Sequence, residues 1–352
     1  MGTIDTAITA IVERDTRGAT DYIDGDGFLV CGKCRTRKQM EVTCPMQTMT
    51  HAEWLEARRG GIGGSDAAAI LGLNPYMTPF AVWADKVGKL PARDDSEAMR
   101  QGRDFGGYVA QRFTEATGKK VRRKNGILRN PAYPFALANI DRQIVGEDAG
   151  LECKTTSVLN LKKFRGGEFP PSYYVQCVHY LAVTGAARWY LAVLILNQDF
   201  LVFTVERDKA EIAELMRVEG QFWDTYIAPQ IPPPVDGLPP TSEAISRIYT
   251  GMDNGDAVDL SELASTFELR KAIKEQIGAL ETQKEQADQA IKLALGEHTA
   301  GYCGPYKATW KPQARATLDK AAFAQAHPDI DLAIFEKVTE TRPLNVKEKK
   351  VS

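Results

Sequence analysis

The chain has 352 residues, of which 43% are hydrophobic and 26% charged, and its formal net charge is −2. That length allows two or three domains with a sizeable core, and the composition is typical of a globular protein. The charge balance excludes a uniformly basic nucleic-acid-binding surface, so a polyanion would have to meet local basic segments. No apolar run approaches the roughly 20 residues of a membrane span. The N-terminus lacks a basic-then-apolar signal pattern, so we expect a cytoplasmic protein.

Residues 1–50 are predicted to form a small Cys-rich knuckle. Cys31 and Cys34 have the spacing of half a zinc ribbon, and Cys44 follows them. A structural Zn²⁺ needs four ligands, and Met46 occupies the position where a fourth Cys would complete the set. His51 is the nearest remaining candidate, and a degenerate knuckle without zinc is the alternative. The other cysteines lie in apolar surroundings and are predicted to be buried thiols: Cys153, Cys177 and Cys303.

Residues 51–230 are predicted to form one α/β domain that begins with helices. "HAEWLEARR" predicts a helix ending near Gly60, and "SDAAAILGL" predicts a second helix with Ser65 as its N-cap. A longer helix is predicted over 96–118. Strand candidates follow at "GILRN", "FALANIDRQIVG" and "GLECKTTS", then a helix over 172–185, and then a strand, a turn at "NQD" and another strand.

The rest of the chain divides into a linker and a tail. Residues 231–245 begin with "IPPPVDGLPP", a proline-rich segment expected to be stiff and extended. Residues 246–352 contain a predicted long helix over 261–296, because apolar residues recur there at spacings of three, four or seven. Strands and a short helix are expected over 302–346.

Two acids and a lysine occupy segments that otherwise have the pattern of buried strands. Glu152 and Lys154 project to the same side of a strand, and Asp141 joins them if its strand pairs through the "GEDAG" turn. Two buried carboxylates repel each other unless a cation or a proton lies between them. Mg²⁺ suits such a site, and a lysine can stabilise charge developing on a phosphodiester. The alternative is a surface Glu–Lys pair with Asp141 in a turn.

The ordered motifs around these residues resemble a known family. "W-x3-R-x6-S-D-AAAILG" is followed by the helix beginning "GRDF", then by "NIDR … LECKT" and "YYVQCVHYLAVTG". This order resembles the YqaJ-type viral recombinases, relatives of lambda exonuclease, across residues 51–230. The resemblance implies an α/β restriction-endonuclease-like core with a mixed central sheet flanked by helices and a PD-(D/E)xK signature. The segment "YKATWKPQARATLDKAAF" also resembles the C-terminal part of phage members.

The resemblance implies a role for each matching residue at the reaction centre. Asp141 and Glu152 match the acids that bind Mg²⁺ (or Mn²⁺), and the carbonyl of Cys153 is a third ligand. Lys154 matches the catalytic lysine. Gln176 matches a family glutamine on a helix flanking the site, and a helix-surface glutamine is the alternative.

Further residues are assigned to DNA. Arg58 and Ser65 match family residues that hold the 5′-phosphate, a role that suits an Arg fork and a helix start. A solvated Arg and a plain helix cap are the alternatives. "KKVRRK" is the densest basic run and is predicted either to contact backbone phosphates or to form a solvated loop. Its candidate DNA-binding residues are Lys119, Lys120, Arg122 and Arg123.

Gly106 departs from the family pattern, which places a metal-facing Glu at this position. Gly106 and Gly107 also weaken their helix, by roughly 1 kcal/mol each relative to Ala. A second metal is therefore expected to bind poorly.

Two functions from different classes follow from these residues. The first is a Mg²⁺-dependent exonuclease that digests one strand of linear duplex DNA from its 5′ end and leaves 3′ overhangs for phage-type recombination. The resemblance implies a toroidal homotrimer, a single-strand annealing recombinase as partner, and a phage or prophage origin in a bacterial host. The second is a catalytically weakened DNA-binding scaffold for that annealing partner. A repair nuclease of the same superfamily is a variant of the first.

Overall fold

The computed structural model of the chain describes residues 22–23, 29–30, 41–44, 49–91, 95–250, 255–336 and 342–347. It divides the chain into two units, Met1–Thr250 and Gly251–Ser352. Within the described residues, no helix is both long and apolar enough to cross a membrane. Of the predicted zinc ligands, Cys31 and Cys34 lie outside the described residues, and the side chains of Cys44 and His51 are not described. The zinc site therefore stays a prediction.

The helices of the first unit begin and end at residues that favour helix termini. Thr50 forms a capping box with Glu53, Ser96 caps the longest helix, and Gly118 and Gly185 close two helices in the left-handed conformation. The helices are α1 (His51–Arg59), α2 (Gly64–Ile70), α3 (Pro79–Lys86), α4 (Glu97–Thr117), α5 (Pro171–Thr184), α6 (Lys209–Phe222) and α7 (Pro239–Ile248). A kinked 3₁₀ segment covers Val158–Gly167, and a π-helical turn, Trp223–Ile227, extends α6.

The main sheet of the first unit has five strands in the order β10-β9-β8-β7-β4. They are β4 (Val121–Arg122), β7 (Arg142–Ile144), β8 (Ala149–Thr156), β9 (Arg188–Ile195) and β10 (Asp199–Glu206). β8 and β9 are parallel because α5 connects them, and the other neighbours are antiparallel. This arrangement confirms the predicted mixed sheet.

Helices cover both faces of the main sheet. On one face Leu151 of β8 packs with Val109 and Phe113 of α4. On the other face, α5 contributes Leu181 to the larger core, together with Leu191 of β9. Because side chains alternate along β8, the residues on either side of Leu151 point toward α5.

A second sheet of the first unit has the order β3-β5-β6, with β3 (Glu41–Cys44), β5 (Ile127–Asn130) and β6 (Tyr133–Ala138). Ile62, in the loop between α1 and α2, bridges in parallel to Ala136 of β6. The loop after α1 is thereby fixed to the sheet. A two-stranded ladder pairs β1 (Tyr22–Ile23) with β2 (Leu29–Val30).

The sequence analysis did not predict α3, α6 and α7. The last of these changes the boundary of the domain. Thr241 of α7 is buried and hydrogen-bonds to Thr78 at 2.7 Å, and Ala244 is buried as well. Proline-rich residues 231–238 have no regular secondary structure, and the predicted linker over 231–245 does not separate the two units. The first unit continues to Thr250 because α7 packs against α3.

The second unit contains α8 (Ala264–Leu295), the hairpin β11 (Ala300–Cys303) and β12 (Tyr306–Thr309), and the short helix α9 (Lys320–Ala326). Short 3₁₀ turns lie at Ser261–Leu263 and Leu332–Phe335. The long helix, the strands and the short helix agree with the sequence prediction. Cys303 is exposed rather than buried, because it lies at the turn of the hairpin.

Candidate active site

Pairing of β7 with β8 brings the first acid of the predicted set beside the second. Arg142 pairs with Leu151, so Asp141 lies just before the ladder at the level of Glu152. The backbone N–H of Cys153 donates to Asp141 Oδ2 at 2.8 Å, which fixes this carboxylate against β8. The structure therefore supports the pairing through the "GEDAG" turn.

Glu152, Lys154 and Gln176 form one buried hydrogen-bonded cluster between β8 and α5. Lys154 Nζ lies 2.8 Å from Glu152 Oε1 and donates to Gln176 Oε1 at 2.8 Å. Gln176 Nε2 donates to Glu152 Oε1 at 2.7 Å. The helix-surface Gln and the surface position of the Glu–Lys pair are wrong, because α5 covers this face of β8 and Glu152 and Gln176 are buried. Asp141 itself lies in a bend between β6 and β7 rather than in a strand, as that alternative had it.

Two tyrosines of α5, which the sequence analysis did not single out, border the cluster. The Tyr180 hydroxyl accepts a hydrogen bond from Gln176 at 2.8 Å and donates to the carbonyl of Asn139 at 3.4 Å. Tyr173 places its ring 5.1 Å from the Lys154 ammonium. Their spacing from Gln176, four residues forward and three back, is the helical spacing that could have indicated them.

The ionisation of the cluster follows from its burial. The pKa of Glu152 is raised to about 7, because burial and the Asp141 carboxylate raise it by more than the Lys154 charge lowers it. Burial by itself would lower the pKa of Lys154, but the Glu152 carboxylate raises it above its usual value. Lys154 therefore remains cationic while Glu152 titrates near neutrality.

The chemistry of this donor set fits a hard divalent cation. The carboxylates of Asp141, just before β7, and of Glu152 on β8 lie side by side, and their repulsion contributes to the raised pKa of Glu152. The described residues hold no group of three or more His, Cys, Asp and Glu side chains suited to a metal. Mg²⁺ commonly binds one or two carboxylates and completes its shell with water and substrate phosphate. Asp141 and Glu152 would hold it, with the Cys153 carbonyl as the proposed third ligand.

A cleft of about 220 Å³ brings Arg58 and Ser65 together. Its other lining residues come from α1, the loop before α2, the second sheet and α5: Trp54, Gly63, Gly64, Ile127, Leu137, Asn139 and Tyr180. The Arg58 guanidinium lies 4.8 Å from the Trp54 ring centroid, so the ring limits the orientation of the fork. Tyr180 and Asn139 belong both to this cleft and to the border of the Glu152 cluster.

Ser65 does not have its predicted place in the helix. α2 begins at Gly64 with Gly63 as its N-cap, and Ser65 is an exposed residue of the first turn. The helix begins earlier because the Asp66 carboxylate accepts a hydrogen bond from the N–H of Gly63 at 2.8 Å. A Cβ on Gly64 would lie 2.8 Å from Gln176 Cγ, so only glycine allows this approach to α5.

A buried ion pair that sequence reasoning missed holds the two sides of the cleft. Lys86 Nζ of α3 lies 2.7 Å from Asp66 Oδ2 and donates to the carbonyl of Arg58 at 3.0 Å. Burial would raise the pKa of Asp66, but the charges of Lys86 and Arg58 lower it below its usual value. The ammonium thus joins the end of α1 to the start of α2.

A second buried pair, His179 with Glu219, supports strand β6, which lines the cleft. His179 Nδ1 lies 2.9 Å from Glu219 Oε1, and the other ring nitrogen donates to the carbonyl of Leu137 at 2.9 Å. Burial would lower the pKa of His179, and Glu219 raises it instead. Since Leu137 N also donates to the Ile62 carbonyl at 2.8 Å, the pair stabilises the strand that lines the cleft.

Edge strand β4 takes up only Val121 and Arg122 of the basic run, and the other cations of the run lie in the loops on either side of it. The first member of the run, Lys119, is in an ion pair with Glu147 at 2.5 Å. Arg122 is exposed and donates to Gln143 at 3.0 Å, two residues from Asp141. Lys120 and Arg123 are exposed as well. Three of the four candidate phosphate contacts therefore remain accessible at the edge nearest the acids.

Gly106 lies in α4 with nothing within 4 Å of the position that a Cβ would occupy. It precedes Ala110 and Phe113 on the helix face that packs against β8. The structure therefore has room for a side chain here, and the metal-facing role of the position stays a prediction.

Comparison with known proteins assigns the family. Residues 53–187 match the family described as the YqaJ-like viral recombinase domain. The uncharacterized protein YqaJ of Bacillus subtilis (strain 168) is 40% identical over 320 residues, which cover 89% of this chain and 99% of that protein. The chain belongs to the YqaJ-like viral recombinase family.

The solved structures that match this chain are more distant in sequence. An alkaline exonuclease (LHK-Exo) from Laribacter hongkongensis is 19% identical, with a TM-score of 0.43 over 51% of this chain and 94% of that chain. A phage related exonuclease from Haemophilus somnus 129PT is 11% identical, with a TM-score of 0.37 over 50% of this chain and 99% of that chain.

Proposed function

We propose that the protein is a Mg²⁺-dependent deoxyribonuclease that hydrolyses phosphodiester bonds of linear duplex DNA during recombination. The observation that carries this proposal is the buried cluster of Glu152, Lys154 and Gln176 with Asp141 beside it. Membership of a viral recombinase family supports DNA as the substrate. A restriction-endonuclease-like core is part of the proposal, supported by the mixed sheet with helices on both faces.

Each residue of the cluster has a distinct task in this proposal. Asp141 and Glu152 would hold Mg²⁺, which would supply Lewis-acid stabilisation of the phosphodiester and acidify a water molecule. Lys154 contacts the scissile phosphate and stabilises the negative charge that develops in the transition state. Gln176 accepts from Lys154 and donates to Glu152, so it orients both groups.

The cleft at Arg58 supports digestion from a 5′ end. A guanidinium on one wall and the Ser65 hydroxyl on the other can hold a terminal phosphate, with Tyr180 between that phosphate and the Glu152 cluster. Removal of nucleotides from the 5′ end leaves a 3′ single-stranded overhang. The exposed cations Lys120, Arg122 and Arg123 supply backbone contacts that carry no sequence information.

The assembly belongs to the proposal as well. A single-strand annealing recombinase would receive the overhang, and a homotrimeric ring would keep the enzyme on its duplex. The cytoplasm of a bacterial host is the compartment where phage DNA would be processed. Mn²⁺ would replace Mg²⁺ at the same two carboxylates.

A DNA-binding scaffold with weak catalysis is the second candidate, and Gly106 is the observation that favours it. The helix beside β8 presents no side chain at this position, so a second cation lacks a carboxylate there. A scaffold would bind duplex ends without hydrolysing their phosphodiester bonds.

One assay separates the two functions. Purified protein is incubated with a 5′-phosphorylated linear duplex and Mg²⁺, with EDTA as the control, and the strand lengths are followed. We expect shortening from the 5′ end that EDTA abolishes. Binding without shortening would establish the scaffold and contradict the nuclease.

The Lys154→Ala variant tests the assigned chemistry. We expect its rate to fall roughly a hundredfold or more, because a contact to the transition state is removed. The variant should unfold at the same urea concentration as the parent to within a small shift. Lys284→Ala is the matched control, since its exposed ammonium pairs with Asp288 in the second unit and has no place in the proposed site. Parental rates for Lys154→Ala would show that the cluster is not catalytic.

A further inference from the structure

The hairpin of the second unit presents aromatic side chains to solvent. Tyr302 is 76% exposed, Tyr306 75% and Trp310 50%. The turn is Gly304-Pro305, where Gly304 has a φ of 54°. Trp310 continues the ladder, because its N–H donates to the carbonyl of Thr299 at 3.1 Å. Three large rings are therefore accessible on one hairpin, with Tyr302 on one face and Tyr306 and Trp310 on the other, because side chains alternate along β12 and Tyr302 pairs with Lys307.

The hairpin packs against the long helix α8 through Gly301 rather than through its exposed rings. Leu295 of α8 is buried, and a Cβ on Gly301 would lie 2.9 Å from its Cδ2 atom. Tyr302 and Lys307 pair directly across the ladder, and the ammonium lies 5.5 Å from the ring centroid. The hairpin with its exposed rings is therefore held against α8 in the absence of a ligand.

The charged side chains near these rings are all cationic. Lys307, Lys311 and Arg315 are exposed, and the sequence holds no acidic residue from His298 to Leu318. None of the three cations forms an ion pair within the described residues of the unit, whereas other lysines of the unit do, such as Lys284 with Asp288 at 2.6 Å. Rings interleaved with unpaired cations are typical of surfaces that bind single-stranded nucleic acid.

We propose that the hairpin surface, formed by Tyr302 and Lys307 on one face, Tyr306 and Trp310 on the other, and Lys311 and Arg315 after β12, binds single-stranded DNA that passes around the edge of β12. Unpaired bases would stack on the rings, and the cations would contact the phosphates that link those bases. The inference rests on the proposed function for its choice of ligand, since digestion of one strand of a duplex leaves the other strand unpaired.

Competing ligands fit the surface less well. Bases of an intact duplex are stacked on each other, so duplex DNA would use the cations and leave the rings in water. A protein partner would use the rings, but lysine is depleted at protein interfaces, and two of the three cations are lysines. Single-stranded DNA uses both kinds of side chain.

The test measures binding in the absence of divalent cation. The full chain with Lys154→Ala as background is titrated in EDTA against a fluorescent oligothymidylate of about 16 nucleotides, and anisotropy gives the Kd. We expect Tyr302→Ala and Trp310→Ala each to weaken binding about tenfold. Tyr302→Phe should keep the parental affinity, because the ring remains. Lys307→Gln should reduce the slope of log Kd against log salt by about 0.7.

Phe335→Ala is the matched control, because Phe335 is an equally exposed aromatic of the same unit (73%) outside the hairpin surface. Parental affinity in both alanine variants, or an equal loss in Phe335→Ala, would overturn the proposal. An altered oligomeric mass in sedimentation with an unchanged Kd would assign the hairpin to a contact between chains. Since no hydrolysis is measured, failure of the proposed nuclease activity would be seen separately.

Discussion

Glu152 is a buried carboxyl group at the centre of the proposed site. Its carboxylate is buried beside Asp141 and takes hydrogen bonds from Gln176 and Lys154 on one oxygen. Its pKa of about 7 means that the metal-free protein protonates this group in the neutral range. Cation binding and protonation therefore compete for the same carboxylate, as they do at other metal sites.

Stability of the metal-free protein should consequently fall as the pH rises from 4.5 to about 7. In this range the unfolded chain releases the Glu152 proton, whereas the folded chain retains it. The free energy of unfolding therefore decreases as the pH rises, and the decrease is complete above pH 7. Glu152→Gln removes the titration. We expect the free energy of unfolding of this variant, relative to the parent, to rise by roughly 2–3 kcal/mol between pH 5 and pH 8.

Urea unfolding in EDTA at the two pH values measures this difference. Glu147→Gln is the control, since the pKa of that half-buried carboxylate is lowered by Lys119 and Tyr190. A difference between parent and Glu152→Gln that does not change with pH would contradict the raised pKa.

Arg58 should determine the preference for phosphorylated 5′ ends. Removing its fork leaves the terminal phosphate without a bidentate partner, which corresponds to a loss of roughly tenfold to a hundredfold in kcat/KM on phosphorylated ends. Arg58→Ala should bring phosphorylated and hydroxyl ends to equal rates. Arg59→Ala is the matched control, because Arg59 pairs with Glu56 at 3.0 Å. If the parent protein digests phosphorylated and hydroxyl 5′ ends at equal rates, the cleft does not bind the terminal phosphate.

At the scale of elements, the site depends on how α4 and α5 enclose β8. α5 covers the face with Glu152 and Lys154, and α4 covers the face with Leu151. Gly106 lies on the covering face of α4 but has open space around it. The position can therefore accept a side chain without displacing a neighbour.

Gly106→Glu should raise both thermal stability and the rate at limiting Mg²⁺. The helix gains roughly 0.5–1 kcal/mol when glycine is replaced by a better helix former. The added carboxylate supplies a ligand for a second cation if the position faces the metal site. Gly106→Ala should show the stability gain alone. Identical Mg²⁺ titrations for the two variants would mean that the departure from the family pattern affects only the helix.

At the scale of the whole molecule, the two units contribute different surfaces. The first unit carries the acid cluster and the Arg58 cleft, and the second carries the hairpin surface.

The predicted Cys-rich knuckle would add a third element. Its ligands Cys31, Cys34, Cys44 and His51 imply about one Zn²⁺ per chain, which elemental analysis of chelator-free protein would measure. Absence of zinc would favour the degenerate knuckle.

Local chemistry explains which elements could be predicted. Thr50 with Glu53 and Ser96 are caps, and Gly118 and Gly185 are C-terminal stops, so the sequence determines the limits of α1, α4 and the end of α5. By contrast α3, α6 and α7 were not predicted although Thr78 and Asp208 cap the first two. α7 lacks a side-chain cap, and its place is decided by the buried contact of Thr241 with Thr78.

The sequence by itself determined the order of the main strands and of helices α1, α2, α4 and α5, the turn through which the Asp141 segment can pair with β8, and the shared face of Glu152 and Lys154. Those features follow from short-range rules: strand alternation, a tight turn and helix periodicity. Only the tertiary structure decided that Gln176 and Tyr180 border the cluster, that Lys86 joins Asp66 to Arg58, and that α2 begins at Gly64. These contacts join residues far apart in the chain, and their energies depend on burial, which no local pattern specifies.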